Sequence, residues 1–551
     1  MPYRSNRNPM FRSSFAETIF HQKYAHGGAD TWEELCRTLV RNVCAGLMTA
    51  DEMSALTQLM VEMKFIPGGR YLYYAGRYAS FYNNCYLLRA EEDTREDWAE
   101  LSWKAESCLM TGGGIGIDYS RYRGKNQILS RTGGLSSGPV PKMLMVNEIG
   151  RHVMQGGSRR SALYASLNWR HNDIADFIVA KDWHKATIPG TDKSVWDAKQ
   201  IDFNYPAPLD MTNISVNYDN SWLFGDRLNE TYMSNVRQAL MTGEPGFSFN
   251  FHDKENETLR NACTEVCSED DSDVCNLGSI NMGRIENRQE FITAVELGTK
   301  FLLCGTLRAD LPYDKVKKVR EKNRRLGLGL MGVHEWLIKG GCRYEFTPEL
   351  ALWMQLYRNV SRAVADEFAD HLGISCPVAV RAIAPTGTIG ILAGTTTGIE
   401  PLFAVAYKRR YLKGTKWHYQ YVVDSAAEEL IERYSVKPDS IESALDLAKD
   451  YERRIAFQAS MQHYVDQSIS STINLPAWGS ELNNDDTVRP FAETLARYAP
   501  HLRGFTCYPD GSRGGQPLTS VPYWEAKAQV GTEFVEHDIC SISGKGGTCG
   551  V

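Results

Sequence analysis

No run of apolar residues in this chain approaches the roughly 20 needed to span a bilayer. The start, Met1-Pro2-Tyr3-Arg4, also lacks the apolar core of a signal peptide, so a cytoplasmic location without membrane contact is expected. Positive charge is not in excess: 61 Lys and Arg stand against 67 Asp and Glu, a net charge of -6. That argues against a general nucleic-acid binder, so any nucleotide is expected to be held locally. A Walker A sequence is missing, since Gly544-Lys545 is followed by Gly546 where Ser or Thr is required. No short-period repeat is evident.

Cysteine, by contrast, is plentiful. Thirteen are spread over 551 residues, an odd and dispersed set unlike a secreted disulfide framework, so in a reducing compartment those that matter are catalytic or metal-binding. Zinc competes for the region of Cys263, Cys267 and Cys275. Its spacings, three and seven intervening residues, offer no CxxC knuckle, and no histidine is nearby. Cys540 and Cys549 fit an exchange pair better than a zinc ribbon, because thiol–disulfide exchange needs sulfur-to-sulfur contact and they sit on a turn-rich tail.

The most informative stretch is Asn261-Ala262-Cys263-Thr264-Glu265, followed by Cys275-Asn276-Leu277-Gly278-Ser279-Ile280-Asn281. In extended backbone, residues two apart share a face. An amide, a thiol and a carboxylate would then meet one substrate together, which points to radical chemistry on a polyol such as a ribose. Ala384-Pro385-Thr386-Gly387-Thr388-Ile389-Gly390 joins a small-residue turn to an apolar stretch, an arrangement suited to phosphate at a helix start. Glycine-rich turns at 112–118, 132–139 and 156–161, with Arg121, Arg123 and Arg131 between the first two, suit polyphosphates. Gly327-Leu328-Gly329-Leu330-Met331-Gly332 matches GxGxxG but follows a basic segment instead of an apolar strand, and reads as close helix packing. A nicotinamide-dependent dehydrogenase built on it is therefore disfavoured.

Residues up to about 65 read as helical, with Thr31-Trp32-Glu33-Glu34 resembling a capping box. Beyond them, apolar runs alternate with helical ones in α/β fashion. The division expected is an N-terminal helical region at 1–65, a catalytic unit at 66–509 and a redox-active tail at 510–551.

Taken in order, these motifs resemble the catalytic subunit of ribonucleotide reductase, in a small phage-type form close to the adenosylcobalamin-dependent branch. The resemblance runs from about Phe65 to the C-terminus. It rests on Phe65-Ile66-Pro67-Gly68-Gly69-Arg70, Asn83-Asn84-Cys85, Gly134-Leu135-Ser136-Ser137-Gly138-Pro139, Gly157-Ser158-Arg159-Arg160-Ser161, the Cys263 loop, Arg324-Arg325-Leu326-Gly327 and Thr395-Thr396-Thr397-Gly398-Ile399-Glu400-Pro401. It implies a ten-stranded α/β barrel of two five-stranded parallel halves with a central finger loop. Cys263 would become a thiyl radical, Glu265 a base, Asn261 a hydrogen-bonding partner of the substrate, and Cys85 with Cys275 the source of two electrons.

Cys540 and Cys549 would re-reduce that pair and be reset by thioredoxin or glutaredoxin. Asn84, Pro385, Thr386, Gly387, Thr388 and Ile389 would hold a ribonucleoside di- or triphosphate. Asp93, Arg123, Arg131, Gly157, Ser158 and Arg159 would hold and relay a deoxynucleoside triphosphate or ATP effector, and a homodimer is implied. For the radical source the resemblance leaves two routes. One is a separate ferritin-like metal subunit, with Tyr508 as relay and no cofactor held tightly by this chain, to which little spare length inclines the reading. The other is adenosylcobalamin. A zinc-stabilised nucleic-acid-binding protein is the alternative from another class.

Overall fold

The structure, a computed structural model, describes residues 11–153, 161–202, 205–413, 416–512 and 518–534. Near the N-terminus, helices Trp32–Cys44 and Ala50–Val61 each begin at a capping box, Thr31 with Glu34 and Thr49 with Glu52. Each box satisfies two backbone donors that would otherwise be orphaned at a helix start. Their apolar faces pack with β1 (Phe65–Pro67) and the long helices Arg288–Arg308 and Pro348–Leu372 in one large core.

A second core lies against the parallel run β2 (Cys85–Leu88), β3 (Gly114–Asp118), β4 (Leu163–Asn168), β5 (Thr212–Tyr218) and β6 (Gly246–Phe249). Next come a two-stranded hairpin, β7 (Leu259–Arg260) and β8 (Cys267–Ser268), and the fully buried β9 (Asp273–Asn281). β9 runs parallel to β10 (Leu326–Met331) and antiparallel to β2. A separate hairpin, β11 (Ala406–Lys413) and β12 (Lys416–Val423), precedes β13 (Thr472–Leu475) and β14 (Gly504–Pro509), which pair in parallel.

β14 meets β6 antiparallel. Between β10 and β13 the ladder is carried by residues 379–383, through parallel bridges Leu328 to Arg381 and Ile383 to Ile469. The ring thus closes as two parallel halves of five segments joined by two antiparallel seams, the expected barrel.

Two sequence readings are corrected here. Residues 326–331 form a barrel strand, not a helix contact: a Cβ on Gly327 would lie 2.2 Å from Leu277 Cδ2, so its glycines let neighbouring segments close. Likewise Gly114–Asp118 is strand β3 and no phosphate-type turn. A Cβ on Gly116 would fall 1.7 Å from the Arg260 carbonyl oxygen, so this glycine makes room for the hairpin inside the barrel. A small apolar cluster of Cys85, Leu87, Leu259, Val266, Cys275, Leu277 and Ala384 fixes that hairpin against the β2/β9 seam. Among the described residues no helix is long and apolar enough to cross a membrane.

Candidate active site

The tip of the hairpin is residues 261–266. Its alternating polar residues suggest an extended segment, but the tip turns: Thr264 N donates to Asn261 O (3.0 Å), and Thr264 takes a left-handed φ of 71°. A hairpin this short must reverse within a few residues, and the turn still brings Asn261, Cys263 and Glu265 to one cavity. Outside the loop, Asn213 Nδ2 donates to Ala262 O (3.1 Å) and Ser468 N donates to Glu265 O (2.9 Å), pinning the residues beside Cys263.

Cys85 and Cys275 face each other in register across the antiparallel seam. Asn261 Nδ2 donates to Cys85 Sγ (2.9 Å), while Asn261 Oδ1 accepts from Val266 N (3.0 Å). Cys85 Sγ lies 4.0 Å from Glu265 Oε1. The Cys85 thiol is pushed well up, chiefly by burial and then by the nearby Glu265, Cys275 and Cys263. Burial also raises the Cys275 thiol, against the pull of the Arg325 guanidinium, which pairs with Asp273 (2.8 Å). Both thiols therefore rest protonated, the form that can deliver hydrogen. Glu265 is raised to about 7 by burial, opposed by the Asn261 hydrogen bond.

The cavity holds about 130 Å³. Asn84, Cys85, Asn261, Cys263 and Glu265 line it together with Pro385, Thr386, Gly387, Thr388 and Ile389. Two buried acceptors of these residues, Glu265 Oε2 and Asn84 Oδ1, have no hydrogen-bond partner. Buried acceptors are rarely left bare, and hydroxyl donors of a ligand would satisfy both. Thr386 has a left-handed φ of 49° and accepts Gly398 N on its hydroxyl (2.8 Å), which fixes the loop before helix Gly387–Ala393.

Of the expected effector residues, Asp93 and Arg123 pair directly (2.6 Å), and Trp98 Nε1 donates to Asp93 (3.0 Å). Arg131 is exposed. Gly157, Ser158, Arg159, Cys540 and Cys549 lie outside the described residues. Tyr508, half-buried on β14, lines a different pocket. Among the described residues no three His, Cys, Asp or Glu side chains are grouped as a metal would require. Sequence reasoning assigned no role to Asn213, Ser468 or Arg325. Only Arg325 carried a signal, as part of a quoted motif.

The family described as ribonucleotide reductase, barrel domain, matches residues 83–245, 230–364 and 378–502. A vitamin B12-dependent ribonucleoside-diphosphate reductase of Mycobacterium tuberculosis (strain CDC 1551 / Oshkosh) is 28% identical over 97% of this chain and 80% of its own. A protein of the same description from Thermoplasma acidophilum is 26% identical over 86% and 67%. A putative adenosylcobalamin-dependent ribonucleoside-triphosphate reductase of Mycobacterium phage D29 is 26% identical over 84% and 76%. The crystal structure of a B12-dependent, class II ribonucleotide reductase superposes with a TM-score of 0.70 at 14% identity, over 95% of this chain and 94% of its own. With a family match across most of the barrel and a finger loop that brings a thiol, an amide and a carboxylate to one cavity, the chain belongs to the ribonucleotide reductases.

Proposed function

We propose that this catalytic subunit reduces ribonucleoside diphosphates with adenosylcobalamin as its radical source, without a ferritin-like partner. The observation that carries the substrate assignment is the bare, buried Glu265 Oε2 beside Cys263 and Cys85, across one cavity from the Pro385 to Ile389 loop. The cofactor reading is supported by the descriptions of the relatives. Compact size, which inclined the sequence reading to a metal subunit, carries no weight: the B12-dependent structure is matched over 94% of its own length.

The chain's residues also suit the group. A pocket of about 650 Å³ has apolar walls from Phe15, Leu402 and Phe403, polar ones from Thr395, Thr472 and Asn474, and charged ones from Arg409, Asp424 and Glu428; this mixed lining would take part of a macrocycle with amide arms. Helix Gly387–Ala393 borders this pocket through Gly390 and Ile391, while its start lines the substrate cavity. When bound, adenosylcobalamin supplies a carbon-centred radical able to take a hydrogen atom from a thiol. Tyr508 would then be a wall of the cofactor pocket, not a relay.

Cys263, as thiyl, takes the 3′ hydrogen of the ribose, and Glu265 accepts the 3′ hydroxyl proton while Asn261 holds the hydroxyls. Cys85 protonates the departing 2′ hydroxyl, which leaves as water. Cys275 then gives a hydrogen atom to C2′, and one electron from the Cys85–Cys275 pair, with the proton held by Glu265, reduces the 3′ carbonyl as the pair closes to a disulfide. Cys263 returns hydrogen to C3′ and is left as the thiyl again. Cys540 and Cys549 would reopen the disulfide by exchange and be reset by a thioredoxin-like dithiol. Pro385, Thr386, Gly387, Thr388, Ile389 and Asn84 hold the substrate. Asp93, Arg123, Arg131 and the 157–159 loop serve a deoxynucleotide effector.

A homodimer is proposed through the exposed apolar side chains Trp103, Met110, Leu144 and Met145 of helices Arg95–Met110 and Pro139–His152. The test of the site is Cys263→Ser beside Cys85→Ser. Both are expected to bind nucleotide as the parent does and to form no deoxynucleotide in repeated turnover. Parent-like turnover by Cys263→Ser would end the reading.

A further inference from the structure

A wide pocket of about 930 Å³ shares no lining residue with the substrate cavity. Five basic side chains line it, Arg12, Lys64, Arg284, Lys339 and Arg433, against three acidic ones, Glu62, Glu286 and Glu429. Most of these cations are already matched. Arg12 and Lys339 meet the buried Glu335 (3.0 and 2.8 Å), Lys64 meets Glu62 (2.8 Å), and Arg433 meets Glu429 (3.6 Å).

Arg284 is the exception: among the described residues no carboxylate lies within ion-pairing distance of it. Its guanidinium donates once, to the Ala393 carbonyl (3.0 Å), and its buried Nε has no partner. Burial, with Arg12 nearby, lowers its pKa only to about 10, so it stays charged at neutral pH. Glu335 and Glu429 act on it only from beyond ion-pairing distance, so a half-buried cation with a bare donor and no directly paired carboxylate is costly, and an oxyanion that accepts from the guanidinium fork relieves both deficits.

We propose that this pocket binds a phosphate-bearing anion on Arg284, and that its occupancy is felt at the substrate loop. The path is short. Arg284 ends the turn Met282–Arg284 that follows β9, and its acceptor Ala393 ends helix Gly387–Ala393, whose start lines the substrate cavity. The corner has little slack: a Cβ on Gly283 would lie 2.6 Å from Glu335 Oε2 and 2.9 Å from Thr395 Oγ1. Drawing Arg284 towards an anion therefore weakens or shifts its hold on the helix. The binding claim stands on the pocket alone, whereas the coupling rests on the function proposed above.

Hydrogen–deuterium exchange on the full chain, with tripolyphosphate in one arm and ATP in another, separates the parts without any turnover assay. Protection is expected in peptides covering 283–290, 336–340 and 429–434. It should be lost in Arg284→Gln, and in Arg284→Lys it should need about tenfold more ligand, since a lysine offers a point charge in place of a fork. Protection by both probes identifies the phosphates as what is read, and protection by ATP alone identifies a nucleotide as the source. A change at 385–393 that accompanies pocket protection supports the coupling, and pocket protection without it overturns the coupling alone. No pocket protection by either probe, or protection unchanged in Arg284→Gln with the variant folded, overturns the site.

Discussion

Glu265 carries its proton to about pH 7 in the folded chain, against an ordinary value of 4.5, because burial disfavours the carboxylate. The folded state therefore binds this proton more tightly than the unfolded one. The group's contribution to stability is at its most favourable below pH 4.5 and falls by about 3 kcal/mol as the pH rises through 7. Glu265→Gln should remove that loss. Its melting temperature relative to the parent is expected to rise between pH 5 and pH 8, and a constant difference would contradict the burial argument. At this scale most of the site was legible in the sequence, since Asn261, Cys263 and Glu265 are unusual side chains to cluster in one short segment. Asn213 and Ser468 were not, because an ordinary polar residue becomes a positioning residue only when folding brings it to a particular carbonyl or amide.

The finger hairpin is held by what the strands around it leave out. Gly116→Ala would set a methyl 1.7 Å from the Arg260 carbonyl carbon's oxygen, so the finger must move or the barrel must open. About 1–3 kcal/mol of stability should be lost through overpacking, and turnover should fall by about 100-fold or more, because a displacement near 1 Å suffices for that. Gly27→Ala is the control, with nothing within 4 Å of its Cβ. Parent-like activity in Gly116→Ala, measured beside that control, would contradict the packing role. This element also marks where sequence reading stopped short. Capping boxes depend on residues three apart and were legible at Thr31. The glycines of β3 and β10 answer to partners far away in the chain, so a local reading turned them into a phosphate turn and a helix contact. The turn at Thr264 is local and was hidden differently, as alternate spacing alone suggests a strand.

For the whole molecule, the barrel's closure through a bridged segment at 379–383 explains how two parallel halves are completed by a chain of this length. The exposed Trp103 (52%) and Met145 (60%) are expected to support a dimer. Trp103→Glu combined with Met145→Glu should sediment as a monomer where the parent sediments as a dimer, and identical sedimentation would remove that face from consideration. The radical source is tested most directly with the purified chain alone, supplied with adenosylcobalamin, a dithiol and a ribonucleoside diphosphate. Deoxynucleotide should form without any second protein, and none with Cys263→Ser. Absence of product from the parent with adenosylcobalamin bound, or product only when a metal-bearing subunit is added, would contradict the proposal.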